Sequence, residues 1–116
     1  MIPKILTQKI SLTKLKEFGD AWYSNFVKGS VDIELKIVGV GGDYHIETCE
    51  LLTKSGSRFE DVWGFNIRFD EDKKATLEFD SMVNIKLNFG NRGRGLYDEE
   101  KIKVATEIIK ESIDLD

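Results

Sequence analysis

Apolar side chains recur at three- and four-residue intervals near both ends of the chain, which is the spacing of one helix face. Ser11 precedes the first run, and its hydroxyl can cap a helix that would continue to Gly29. Asp98 precedes the second run in the same way. The apolar positions of these two predicted helices are Leu12, Leu15, Phe18, Trp22 and Phe26, and Ile102, Ala105, Ile109 and Ile113.

Alternating apolar and polar positions between these helices predict β-strands, whose side chains point to opposite faces in turn. Residues 31–38, 62–69, 75–79 and 82–89 have this pattern, and Ile5 with Leu6 predicts a short edge strand. The glycines of residues 39–42 favour a hairpin turn.

The turn at residues 39–42 decides the interpretation of residues 44–52, which we predict to be the returning strand. A helix over residues 46–54 is the competing interpretation, because Ile46, Cys49 and Leu52 also have helical spacing.

This order of elements predicts an α+β fold for residues 1–116 as a single domain. We expect a two-layer sandwich, in which an antiparallel sheet of four to five strands is covered by the N-terminal and the C-terminal helix. The length of 116 residues suits one domain with its own core.

Composition narrows the function classes. The net charge of −4 argues against broad binding to nucleic acid phosphates, which requires a basic face. The single cysteine excludes an internal disulfide and a multi-cysteine zinc module, and it fits a reducing, cytoplasmic location. No apolar run approaches the ~20 residues of a membrane helix, so no membrane association is expected.

His45 is the only histidine, and it begins the most chemically suggestive segment. If residues 44–52 form a strand, His45, Glu47 and Cys49 share one face. Side chains two apart on a strand lie roughly 6.5–7 Å apart, and no second histidine or cysteine completes a ligand set. We therefore predict neither a metal site nor a cofactor here.

Two groups of polar residues are candidate sites. The first could combine an acid or base with orienting carboxylate and amide groups; its members are His45, Glu47, Asp61, Asn66 and Asn84. The second lies in the glycine-rich loop of residues 90–95, where guanidinium groups and exposed amides suit an anion or a partner protein; its members are Asn91, Arg92 and Arg94.

Several motifs, taken in order, resemble a family of small bacterial and archaeal proteins of unknown function. They read Gly41-Gly42-x-x-His45-x-Glu47, Gly56-Ser57-Arg58-x-Glu60-Asp61-x-Trp63-Gly64-x-Asn66, Ser81-x-x-Asn84-Ile85 and Gly90-Asn91-Arg92. The resemblance implies organisation and no established activity. Cys49 stands where the family pattern has an acidic residue, and Lys86-Leu87 stands where it has an arginine-proline pair.

These observations favour a non-enzymatic ligand- or protein-binding domain that forms a homo-oligomer and takes a small anionic ligand. Two alternatives remain open. One is a hydrolase-like enzyme with His45, Glu47, Asp61, Asn66 and Arg92 in a cleft. The other is nucleic-acid binding through the loop of residues 90–95.

Overall fold

The computed structural model describes residues 2–19, 25–70 and 74–115. The strands are β1 (Lys4–Ile5), β2 (Phe26–Asp32), β3 (Ile37–Val40), β4 (Val62–Phe69) and β5 (Ala75–Glu78), and the helices are α1 (Leu12–Lys16), α2 (His45–Lys54) and α3 (Glu99–Ser112). The strands form one antiparallel sheet in the order β1-β3-β2-β4-β5. Short 3-10 turns occupy Phe59–Asp61, Met82–Asn84 and Leu87–Phe89.

Alternation along β2 and β4 gives the sheet two different faces. Val31 pairs with Trp63 across these strands, and both side chains belong to a large apolar cluster that also contains Leu15 of α1 and Ile109 of α3. Each of these four side chains is almost completely buried, and such burial contributes roughly 1.5–3 kcal/mol per large side chain.

The opposite face carries a second, smaller cluster. Cys49 and Leu52 of α2 pack there with Val62 of β4 and with Val83, which follows the sheet. The helix α2 therefore contacts the face opposite to the one that α1 and α3 contact.

The prediction of an α+β fold with an antiparallel sheet of four to five strands is confirmed. The predicted C-terminal helix is present, and the carboxylate of Asp98 accepts a hydrogen bond from the amide of Lys101 as its cap. The predicted Ser11 cap is also present, with its hydroxyl accepting from the amide of Lys14. None of the helices in the described ranges is long and apolar enough to cross a membrane.

The prediction that residues 44–52 form a strand is wrong, because His45–Lys54 form α2 and Tyr44 is its N-cap residue. The Glu47 carboxylate accepts hydrogen bonds from the amides of Asp43 and Tyr44, which stabilises the start of a helix. Cys49 and Leu52 then face the sheet together at helical spacing. His45, Glu47 and Cys49 consequently do not share one face, as the strand would have required.

The predicted strand over residues 31–38 is interrupted by a turn between β2 and β3. One carboxylate oxygen of Asp32 accepts hydrogen bonds from the amides of Glu34 and Leu35, and Lys36 takes a left-handed backbone with φ of 59°. This side-chain-to-backbone bonding competes with the strand, although the alternation of residues 31–37 is typical of one.

Two further predicted elements are corrected. The first helix ends after Lys16, and Phe26 already belongs to β2; Trp22 lies outside the described residues. The predicted strand over residues 82–89 is also wrong, because this segment contains the 3-10 turns Met82–Asn84 and Leu87–Phe89.

Candidate functional site

An open groove of about 720 Å³ lies on the α2 face of the sheet, beside the N-terminal end of this helix. Its floor comes from β2 and β4 and its walls from the start of α2 and from the segment that follows β5. Its polar lining includes Lys28, His45, Asn66, Arg68, Asp80 and Arg94.

The register of β2 and β4 places the floor residues side by side. Lys28 pairs with Asn66, and Phe26 pairs with Arg68. Because paired residues in an antiparallel sheet project to the same side, all four side chains reach the groove. Here the strand positions facing α2 are polar or aromatic, whereas nearer the helix the same face carries Val62 in the small apolar cluster.

A turn and two hydrogen bonds bring His45 to the wall of the groove. Gly41 and Gly42 have φ angles of 107° and 82°, which allow the chain to leave β3 and begin α2 at once. The Thr48 hydroxyl donates to the carbonyl of His45 and is also hydrogen-bonded to the Ser30 hydroxyl of β2 at 2.7 Å. This buried link fixes the first turn of α2 on the sheet.

The His45 ring is held by two acceptors. Its Nε2 lies 2.7 Å from Oδ1 of Asn66 and 3.0 Å from the carbonyl oxygen of Phe65. Burial lowers the pKa of His45 below its ordinary value of 6.5, and Lys28 lowers it further, while the two hydrogen bonds and Asp80 act in the opposite direction. The neutral imidazole is therefore the favoured form at neutral pH.

Acidic and basic side chains alternate around the groove. Arg68 Nη2 lies 3.0 Å from Glu78 Oε1, and Arg94 Nε lies 2.8 Å from Asp80 Oδ1. Each pair engages one guanidinium nitrogen, so both arginines keep further N–H donors for a bound molecule. Lys28 Nζ donates to the carbonyl of Asp43 at 2.7 Å.

The structure brings three of the predicted site residues to this groove, namely His45, Asn66 and Arg94. Glu47 does not line it, because its carboxylate caps α2. Asp61 does not line it either, and its carboxylate pairs with Arg58 Nε at 3.2 Å. The cleft expected for a hydrolase-like enzyme, with Glu47 and Asp61 beside His45, is therefore not formed.

Asn84 and Asn91 form what we call the asparagine clamp. Asn84 is fully buried; its Oδ1 accepts from the amide of Gly64, and its Nδ2 donates to the carbonyls of Gly64 and Arg94. Asn91 Nδ2 donates to the carbonyls of Asn84, Gly93 and Gly95. Both amides thus hold backbone in place. Arg92 is exposed and does not line the groove.

Five charged residues that line the groove are not among the sites predicted from the sequence: Lys28, Asp43, Arg68, Glu78 and Asp80. The sequence pattern assigns Lys28 to the first predicted helix and therefore does not indicate that it lies beside Asn66 on neighbouring strands. Arg68 and Glu78 lie on predicted strands, but their salt bridge joins β4 to β5 and has no signature in either strand alone.

Lys86 is a buried cation away from the groove. Its Nζ donates to the carbonyl of Val83 at 2.9 Å and lies 3.4 Å from the centre of the Phe59 ring. Burial lowers its pKa to about 8. Within the described ranges, no three histidine, cysteine or acidic side chains lie close enough together to hold a metal ion.

Comparison with known proteins places the chain without assigning it an activity. No curated protein and no solved structure matches it. A family model does match residues 4–112, and its description is "Protein of unknown function (DUF5674)". The match spans nearly the whole chain, which agrees with the resemblance to an uncharacterised family, and the chain therefore belongs to the family of proteins of unknown function DUF5674.

Proposed function

We propose that this protein is a non-enzymatic binding domain whose groove takes a small anionic ligand. The observation that carries the proposal is the convergence of His45, Asn66 and three basic side chains, from separate parts of the chain, on one groove of about 720 Å³. Small-molecule sites are concave and combine apolar walls with a few convergent polar groups.

The lining has this mixed character. Tyr44, Ile46 and Met82 all line the groove and are exposed, so apolar surface is available to the uncharged part of a ligand. Arg68 and Arg94 offer N–H donors beyond those used by Glu78 and Asp80. A carboxylate or phosphate group matches these donors best.

The two alternatives from the sequence have less support. The hypothesis of a hydrolase-like enzyme requires Glu47 and Asp61 beside His45, and neither carboxylate lines the groove. The hypothesis of nucleic-acid binding requires an open basic loop at residues 90–95. In the structure, however, Arg94 pairs with Asp80, and the Asn91 side chain donates hydrogen bonds to the backbone of the loop.

The experiment is an NMR titration of the ¹⁵N-labelled protein with acetate and with inorganic phosphate. We expect the amide signals of His45, Asn66 and Arg68 to shift saturably with at least one of these anions. Arg94→Ala should weaken that binding about tenfold, because a charge-assisted hydrogen bond contributes roughly 1.5–3 kcal/mol.

The matched control is Arg92→Ala, which removes the same charge from the same loop outside the groove. It should change the affinity less than about twofold. Equal weakening by both variants would show unspecific attraction to a charged loop and would contradict the proposal.

We also propose self-association and a cytoplasmic location, as the sequence predicts. Leu87 and Phe89 are exposed and could be covered by a second copy, and Cys49 is a buried free thiol that suits a reducing compartment. Light scattering tests the first proposal, because a monomer at all concentrations would contradict it. Cell fractionation tests the second.

A further inference from the structure

The side chain of Asn66 has only one orientation that satisfies its neighbours. Its Nδ2 lies 3.1 Å from the carbonyl oxygen of Asp80 and 3.4 Å from Oε1 of Glu78. Both of these oxygens accept hydrogen bonds, so the amide nitrogen must face them. Oδ1 of Asn66 is thereby turned toward His45 and can only accept.

This orientation fixes the proton of the His45 ring. Both partners of Nε2, Asn66 Oδ1 and the carbonyl oxygen of Phe65, are acceptors. Nε2 must therefore carry the hydrogen and share it between them, which leaves the lone pair of the neutral ring on Nδ1.

The lone pair on Nδ1 is unused and accessible. Among the residues that the structure describes, none donates a hydrogen bond to this atom. The fully buried polar side-chain atoms without a partner in these ranges are Asp32 Oδ2, Ser57 Oγ and Trp63 Nε1. Nδ1 does not belong to this buried set, so solvent reaches it in a residue that lines the groove.

We infer that the groove selects small acids that also carry a hydroxyl or N–H hydrogen, with His45 Nδ1 as the acceptor of that hydrogen and the arginines as donors to the acid group. This inference rests on the proposed binding function and names its ligand class. A ligand without such a hydrogen leaves Nδ1 unsatisfied when the ligand displaces water, and that costs affinity.

The test compares pairs of probes that differ by one hydroxyl group, namely lactate with propionate and glycerol 3-phosphate with propyl phosphate. Dissociation constants are measured by NMR titration of the unmodified protein. The hydroxyl-bearing member of at least one pair should bind about 3–10 times more tightly, as expected for one hydrogen bond.

His45→Gln is the informative variant, because a glutamine nitrogen can still donate toward Asn66 while the acceptor at the Nδ1 position is lost. It should bind both members of a pair with equal affinity. An amide spectrum that is unchanged outside the groove verifies the fold, and Arg92→Ala, outside the groove, should keep the preference.

The outcomes separate the two proposals. If lactate and propionate bind equally well in the groove, and the two phosphates do so as well, the selection by His45 is wrong while the binding function stands. A preference for the hydroxyl group that survives in His45→Gln also contradicts the inference. If none of the four probes binds in the groove, both proposals fail.

Discussion

The groove and the asparagine clamp both contain polar side chains that contact β4. They differ in how many of their hydrogen-bonding atoms have a partner within the protein. In the clamp, Asn84 is fully buried, and both of its polar atoms are engaged by peptide groups. In the groove, one ring nitrogen of His45 and several N–H groups of Arg68 and Arg94 have no hydrogen-bond partner among the described residues.

The position of the clamp explains why it is saturated. β5 pairs with β4 only between Asn66 and Phe69, so Gly64 has no strand partner on that side. The Asn84 amide donates to and accepts from the Gly64 peptide group as a neighbouring strand would. Such a residue determines the fold. Unused hydrogen-bonding capacity that solvent can reach therefore distinguishes the groove from the clamp better than polarity does.

The largest expected effect comes from Asn84→Ala. This variant leaves the amide and the carbonyl of Gly64 without a partner, while the carbonyl of Arg94 keeps its hydrogen bond from the amide of Ser81. We expect it to lower the free energy of unfolding by about 3 kcal/mol or more, since each buried unsatisfied group costs roughly 1–3 kcal/mol. Urea denaturation measures it.

The control for that variant is Asn88→Ala, because Asn88 is exposed in the neighbouring 3-10 turn. It should change stability by less than about 0.5 kcal/mol. A loss below about 1 kcal/mol in Asn84→Ala would show that the clamp does not determine the fold.

A smaller loss of stability is expected from Gly64→Ala, which tests whether the segment after β5 must approach Gly64 closely for Asn84 to bond it. An added Cβ would lie 2.7 Å from Cβ of Ser81 and 2.8 Å from Cγ2 of Val83, so the segment after β5 must move. Overpacking of this kind costs about 1–3 kcal/mol. In Gly39→Ala, also within a strand, the nearest atom is 3.5 Å away. If thermal melting shows equal losses in both variants, the close approach is unimportant.

The smallest effect concerns the protonation of His45. Its pKa is lowered in the folded state, so the unfolded chain binds the proton more readily, and stability should fall as the pH drops below 6.5. Above 6.5 the contribution is fully present. The charged groups around the ring are Lys28 of β2, Arg68 of β4, Glu78 of β5, Asp43, Asp80 and Arg94.

His45→Gln should remove this part of the pH dependence, while the carboxylates act equally in both proteins. Urea denaturation at pH 7.5 and at pH 5.5 provides the comparison. A histidine stabilised as the imidazolium would give the opposite sign, with the unmodified protein gaining stability relative to the variant at pH 5.5.

Elements with strong local signals could be predicted from the sequence. Asp98 followed by Glu99 and Glu100 marks the start of α3, and the alternation of residues 62–69 marks β4. Both patterns are set by residues close in sequence, so no distant contact overrides them.

The remaining elements depend on bonds that the pattern does not contain. The turn after Asp32 is made by its own side chain, and the start of α2 is fixed by Glu47 and by the Thr48–Ser30 link. For a similar reason, only three of the residues that line the groove, His45, Asn66 and Arg94, could be predicted from the sequence. Asn66 reaches His45 across 21 positions of sequence, and that partnership appears only in the folded chain.

The most direct measurement is a long-range ¹H–¹⁵N correlation spectrum of the imidazole nitrogens at neutral pH. Assignment is unambiguous because His45 is the only histidine in the chain. The structure predicts a neutral ring with its hydrogen on Nε2 and an unprotonated Nδ1 whose signal changes when lactate is added. A hydrogen on Nδ1, or a fully protonated ring, would contradict the account of the groove.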